Sequence, residues 1–220
     1  MNARLNELQK MVLQEFGKGI VQCNFDPKPR GQTFYQKQFF GWAACHLTFV
    51  PHDEVDFDVS CDVALRIDEV EVLVNEGNKL LSKSEKNQTA TLGAELGNIV
   101  SGQPMRWSVV TEKDIGGVVS ELLTAFVKIG IPYLAKYSNY EEAFLVLSDN
   151  GPSSWLHSPI HSGRCQRALA LAFVMRQYEQ IDGLIEQGEV FLKNKNDYGL
   201  RSFQMFVERI RAMILNGDRP

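Results

Sequence analysis

The fold is decided by the stretch VDFDVSCDVALRI, residues 55–67. Every second residue from Val55 to Ile67 is apolar, and polar residues fill most of the positions between them. Successive side chains of a β-strand point to opposite faces, so this pattern predicts a strand with one buried face and one hydrated face. A strand that is hydrated on one side is typical of an antiparallel sheet. We therefore expect this strand to organise such a sheet.

The segments around this strand supply more strands and the first helices. Four of them have the β-branched and aromatic composition of strands: 20–25, 33–40, 42–50 and 106–110. Amphipathic spacing predicts a helix over 3–16, and Gly17 and Gly19 are expected to end it, because glycine tolerates the left-handed conformation. Two further helices are predicted over 68–82 and 111–129, the second stopped by Gly130 and Pro132.

From residue 138 onward the pattern predicts helices only. They cover 164–180, 182–194 and 200–215, after a loop over 149–163. The sequence therefore predicts an α+β protein, with an antiparallel sheet, helices packed on one face of it, and an all-helical C-terminal region. The predicted domains are an α+β domain over 1–137 and a helical extension over 138–220.

Composition and charge exclude several classes of protein. The chain has 220 residues, of which 44% are hydrophobic and 23% charged, with a formal net charge of −4. That balance gives no general attraction to nucleic acid or to anionic membranes. The longest apolar run, 168–175, is too short to cross a bilayer, and the N-terminus lacks the apolar stretch of a signal peptide. None of the four cysteines forms a CxxC pair, so we expect a cytoplasmic protein of a reducing compartment.

Five short motifs carry a resemblance to a known family. They are the turn over 17–20, Thr33-Phe34-Tyr35, Val63-Ala64-Leu65-Arg66, Arg106-Trp107 and Ile131-Pro132-Tyr133-Leu134. In their order, residues 3–137 resemble a family of bacterial α+β domains of unknown function. Related small bacterial α+β proteins include immunity proteins, which bind and neutralise a toxin. The resemblance thus implies a binding role, by analogy of fold.

Negative charge is concentrated in one segment of the chain. Residues 51–78 contain nine acidic residues and one basic residue, a formal charge of −8 against −4 for the whole chain. Asp56, Asp58 and Asp62 fall on the same face of the predicted strand, and Glu69 begins the helix after it. Such a field steers and selects a basic protein partner. Two alternatives stay open: a solvated face that prevents edge pairing, and a divalent-metal site.

A second group of residues has metal-ligand spacing. His157, His161 and Cys165 are four residues apart in succession, which would place them on one face of an uninterrupted helix, as a zinc site requires. Pro159 and Gly163 argue against such a helix and favour a packed loop. The sequence contains no nucleophile elbow, phosphate-binding loop, dinucleotide fingerprint or HExxH motif.

The favoured function is therefore a non-enzymatic bacterial binding protein without a cofactor. Its partner is expected to be a basic protein bound by Asp56, Asp58, Asp62 and Glu69, and neutralisation of a toxin is one form of this hypothesis. Nucleic acid and membrane partners are not expected, and the sequence does not fix the oligomeric state. Two alternatives are a metal-assisted hydrolase using His157 and His161, and a helical scaffold that self-associates through residues 164–215.

Overall fold

A computed structural model of the chain describes residues 3–52 and 56–217. It confirms the predicted α+β class, with a five-stranded antiparallel sheet and a C-terminal helical region. The strands are β1 (Thr33–Gln38), β2 (Gly41–His52), β3 (Asp56–Ile67), β4 (Leu92–Glu95) and β5 (Trp107–Val109). The helices are α1 (Ala3–Ile20), α2 (Asp68–Glu76), α3 (Lys83–Lys86), α4 (Leu96–Ser101), α5 (Glu112–Ala125), α6 (Ile131–Tyr137), α7 (Tyr140–Ser148), α8 (Pro152–His157), α9 (His161–Val174), α10 (Ile181–Asn194) and α11 (Leu200–Asn216).

The chain divides into two compact units. Unit 1 comprises Met1–Leu65 and Gly93–Lys136, and unit 2 comprises Arg66–Leu92 and Tyr137–Pro220. The sheet order is β1-β2-β3-β4, and β5 also pairs with β3. Residue 137, where we expected the first domain to end, is one point where the chain passes between units. Residues 66–92, however, group with the C-terminal helices.

The buried face of β3 follows the predicted alternation. Its apolar residues from Phe57 to Ile67 are all at most 1% exposed. Helices α1 and α5 pack against each other on the apolar side of the sheet. Phe16 of α1 contacts Phe34 of β1, with ring centroids 5.2 Å apart, and it also contacts Phe126 at 6.4 Å. An aromatic cluster thus fills the core of unit 1.

The N-terminal helix is longer than expected. Its two glycines do not end it but lie where neighbouring atoms leave no space for a side chain. A Cβ on Gly17 would lie 2.4 Å from the Pro27 carbonyl oxygen, and one on Gly19 would lie 2.2 Å from a Leu123 methyl group. Both glycines therefore lie inside α1, which continues to Ile20. The predicted strand over 20–25 is wrong, since a 3-10 turn follows α1 directly.

A helical run from Glu112 to Tyr137 comprises α5, a π-helical turn over Phe126–Gly130, and α6. The expected stop at Gly130 does not occur. By its length and composition alone, this run could cross a membrane, and it is the one helix of the described residues that could. In α5, Ile115, Val119 and Leu122 are buried in unit 1, whereas Glu121 is exposed, so this helix has one buried and one hydrated side.

Unit 2 is built around α9. Its residues 168–173 are all buried, so this part of the helix is surrounded by protein on every side. Helices α2, α7, α10 and α11 contact it. The loop predicted over 149–163 is partly wrong, because it contains α8 and the first turn of α9. Asn139 caps α7 by accepting hydrogen bonds from the Glu141 and Glu142 amides.

Candidate functional site: a groove in unit 2

The carboxylates of β3 lie on one face, as predicted, but this face is only partly hydrated. Asp56, Asp58 and Asp62 are half-buried, and Ser60 and Arg66 on the same face are buried. The expectation of a fully hydrated face is therefore wrong. Asp53 and Glu54, which belong to the acidic segment, lie outside the described residues.

Asp58 is engaged inside unit 1. The Ser108 hydroxyl donates to its Oδ1 at 2.6 Å, and His52 Nε2 lies 3.0 Å from its Oδ2. The hydrogen bond from Ser108, assisted by His52, lowers the pKa of Asp58 below its ordinary value. Asp58 is therefore a stable carboxylate whose acceptor oxygens already have partners.

Asp62 has the opposite electrostatic environment. Burial raises its pKa, and only part of that effect is offset by His46. Burial likewise lowers the pKa of His46, whose Nδ1 lies 2.8 Å from the Thr33 hydroxyl. Thr48 Oγ1 contacts Asp62 Oδ2 at 3.4 Å. Burial thus disfavours the charged form of both Asp62 and His46.

The acidic residues that follow β3 also have partners, all in unit 2. Three of them form ion pairs with arginines: Asp68 with Arg66 at 2.6 Å, Glu71 with Arg167 at 2.7 Å, and Glu76 with Arg209 at 3.7 Å. Glu69 accepts a hydrogen bond from the Tyr140 hydroxyl at 3.4 Å. Desolvation, together with Glu69, raises the pKa of Tyr140 to about 12. Arg167 and Arg209, which the charge count over 51–78 did not include, thus offset part of the predicted field. Binding of a basic partner by Asp56, Asp58, Asp62 and Glu69 stays a prediction.

The two candidate metal-binding histidines lie on different elements and contact aromatic rings. His157 ends α8, with its ring centroid 5.2 Å from that of Tyr137. His161 begins α9, between Trp155 at 5.0 Å and Phe191 at 5.1 Å. The described residues contain no group of three or more His, Cys, Asp or Glu side chains that could hold a metal ion.

His161 also lies beside a cation. Its Nδ1 is 3.3 Å from Arg164, a fully buried residue that also donates to Asn150 Oδ1 at 3.0 Å. Burial and then the charge of Arg164 lower the pKa of His161. This arrangement ties the start of α9 to the preceding segment. A cation at this distance would repel a bound metal ion.

A groove in unit 2 has the geometry of a binding site. It has a volume of about 650 Å³ and runs between the end of α2 with the following loop and α11. Buried Phe206 lies among its lining residues. Three large side chains of the lining are exposed to water: Leu80 at 94%, Tyr198 at 104% and Met205 at 59%. Exposed apolar side chains concentrated in one concave place mark interaction sites.

Two tight turns hold the most exposed of these side chains. Asn78 Oδ1 accepts a hydrogen bond from the Leu80 amide at 2.9 Å, and Asp197 Oδ1 accepts one from the Gly199 amide at 2.7 Å. These are Asx turns, in which a side chain fixes the backbone two residues later. Leu80 and Tyr198 are therefore presented by ordered backbone, which lowers the entropy cost of binding.

Arg209 joins the two walls of the groove. It donates to the Leu73 carbonyl of α2, lies 3.7 Å from Glu76, and stacks over Phe206 at 5.0 Å from the ring centroid. Gly77 allows this approach, because a Cβ there would lie 2.9 Å from the arginine. Arg209 thus fixes α11 against α2, the two helices between which the groove lies.

Comparison with known proteins adds no relative. The chain matches no protein-family model, no curated protein and no solved structure. The resemblance to a bacterial α+β family accordingly stays a prediction.

Sequence reasoning missed this groove, although one signal was present. Leu80 and Tyr198 are large side chains inside turn-forming segments that contain Asn, Asp or Gly, NKLLS and NDYG. A turn needs no such side chain for its own geometry. What the sequence did not show is that the two turns meet, because they are separated by more than one hundred residues of chain.

Proposed function

We propose that this chain is a non-catalytic binding protein that holds an apolar segment of another protein in the groove beside α11. One observation carries the proposal: Leu80, Tyr198 and Met205 are exposed together along one groove. Fully burying a side chain such as leucine or methionine contributes about 1.5–3 kcal/mol. Covering Leu80 and Met205 would supply up to roughly 6 kcal/mol before the costs of association, and the ring of Tyr198 would add to this.

The chemistry of the lining favours binding over reaction. Its twelve residues, all within the described part of the chain, include no Asp, Glu, His or Cys. General acid–base catalysis uses His most often, followed by Glu and Asp. What the lining offers instead is apolar surface, amide and hydroxyl groups, and the cations of lysine and arginine.

A peptide selection tests this function and does not require an identified partner. Random 15-residue peptides displayed on phage are selected on the whole chain and then measured on a Leu80→Ser/Met205→Ser variant. Both positions are exposed, so the variant should keep its stability within about 0.5 kcal/mol. The proposal expects enriched peptides whose affinity falls at least tenfold on this variant.

A matched control separates the groove from general surface hydrophobicity. Val190 on α10 and Leu215 on α11 are 54% and 86% exposed and do not line the groove. The Val190→Ser/Leu215→Ser variant should bind the enriched peptides as the original chain does. Failure to enrich any peptide, or equal losses on the two variants, would refute a binding function of the groove.

A further inference from the structure

The groove carries a charge that selects among apolar partners. Its lining contains three cations, Lys79, Arg201 and Arg209. Arg209 is next to Glu76, but Lys79 and Arg201 are exposed at the surface. The groove is therefore positively charged, whereas the whole chain has a net charge of −4.

From this charge we infer that the groove recognises an acidic partner segment, in which Asp or Glu residues flank the apolar anchors. The inference rests on the proposed function and names the chemistry of the partner. Complementary charges raise the association rate and exclude partners of the wrong sign. Arginine also offers a planar fork of donors that matches a carboxylate.

The arrangement along α11 supports this pairing of charge with apolar contact. Arg201, Met205 and Arg209 are four residues apart in succession, so they form one stripe about 12 Å long. Exposed Arg201 thus lies on one side of the apolar Met205, and Arg209, which is paired with Glu76, lies on the other. Lys79 precedes exposed Leu80 on the opposite wall, which repeats the combination of a cation with an apolar anchor.

The same features favour a protein over a nucleic acid. Single-stranded nucleic acids are bound by aromatic platforms combined with a basic groove that tracks many phosphates. Here the rim offers one exposed aromatic ring, Tyr198, beside aliphatic Leu80 and Met205, and two exposed cations, Lys79 and Arg201, rather than a row of platforms and a long basic track. An acidic apolar peptide uses both the aliphatic rim and the cations.

Charge reversal of one residue tests the inference. The peptides enriched on the original chain should be rich in Asp and Glu, and an Arg201→Glu variant should bind them at least tenfold more weakly. Lys193→Glu is the matched control, since it makes the same change of charge at an exposed residue of α10 outside the groove. This control should change the affinity less than twofold.

Two further readouts use the same proteins. Raising NaCl from 50 to 500 mM should lower the affinity of the acidic peptides for the groove, because salt screens exposed charge pairs. Lys-for-Glu versions of the peptides should lose binding to the original chain. Groove-binding peptides without acidic residues, or equal affinity on Arg201→Glu, would overturn the inference while leaving the proposed function standing.

Other occupants have their own signatures. A fluorescein-labelled random 20-nucleotide RNA should show no binding that depends on Arg201, and such binding would replace the protein partner by a nucleic acid. In sedimentation velocity, a dimer that is lost in Arg201→Glu would identify the occupant as a second copy of this chain. Either result would overturn the assignment to an acidic partner segment.

Discussion

The ion pair between Glu71 and Arg167 should be the most sensitive polar contact of unit 2. Glu71 is completely buried, and Arg167 meets it with two hydrogen bonds, Nε to Oε1 at 2.7 Å and a terminal nitrogen to Oε2 at 3.2 Å. Asn75 donates to the same carboxylate at 3.3 Å. The pair joins α2, which forms one wall of the groove, to the central helix α9.

Removing only the arginine leaves a buried carboxylate without its counter-charge. Breaking a buried pair in this way costs about 3–5 kcal/mol. The side chain of Arg167 is 14% exposed, so water can reach part of the site, and we expect Arg167→Met to cost about 3 kcal/mol. Replacing both partners, as in Glu71→Leu/Arg167→Met, removes the buried charge and should restore most of the stability.

Urea unfolding followed by circular dichroism measures these differences, and hydrogen exchange locates them. The loss of protection in Arg167→Met should include α2 and α9, because the pair joins these helices. A cost of Arg167→Met below about 1 kcal/mol would refute the importance of this pair. So would a double variant whose loss of stability equals the sum of the losses of Glu71→Leu and Arg167→Met, since contacting residues should show coupling.

Three other predictions concern packing, charge and metal. Gly17→Ala should destabilise unit 1 by about 1–3 kcal/mol because its Cβ would overlap the backbone carbonyl of Pro27, whereas Gly116→Ala on α5, where a Cβ meets open space, should stabilise it by about 0.5–1 kcal/mol; thermal unfolding compares them, and equal effects would contradict the close-packing explanation. Asp58→Asn should lower stability near neutral pH and Asp62→Asn should raise it, by about 0.5 kcal/mol each. The signs follow from linkage: the lowered pKa of Asp58 gives stability that is lost as pH falls through the folded pKa, and the raised pKa of Asp62 gives stability that is lost as pH rises through it, so urea titrations at pH 4 and 7 should show opposite trends. Purified protein should contain no stoichiometric zinc, and His157→Ala/His161→Ala should leave its metal content unchanged in plasma mass spectrometry; one zinc per chain that disappears in this variant would restore the metal-site hypothesis.

The sequence predicted those parts of the fold whose cause is local. The alternation in β3 is visible because a strand has a period of two residues, and each position reports its own face. The glycines of α1 were misinterpreted because their cause is distant: Pro27 and Leu123 need the space. A glycine at the end of an amphipathic pattern and one at a close contact look the same in sequence.

The candidate site shows the same limit. Counting charge over 51–78 indicated a strong negative field, but the count could not include Arg167 and Arg209, which lie far along the chain. Leu80 and Tyr198 likewise became informative only when folding brought them to one groove. The electrostatic field and the exposure of a residue depend on all residues near it in space. The sequence therefore indicates candidate residues, and the fold decides which of them are accessible and which are paired.

The split composition of unit 2 has a consequence for biosynthesis. Glu71 and Arg167 are 96 residues apart, and the intervening chain includes the second half of unit 1. At translation rates of about 5–20 residues per second, α2 leaves the ribosome roughly 5–20 s before α9. During that interval its apolar side and its carboxylate lack their eventual partner. A nascent chain stalled near residue 137 should therefore bind chaperones through α2, and truncation there should give an aggregation-prone fragment.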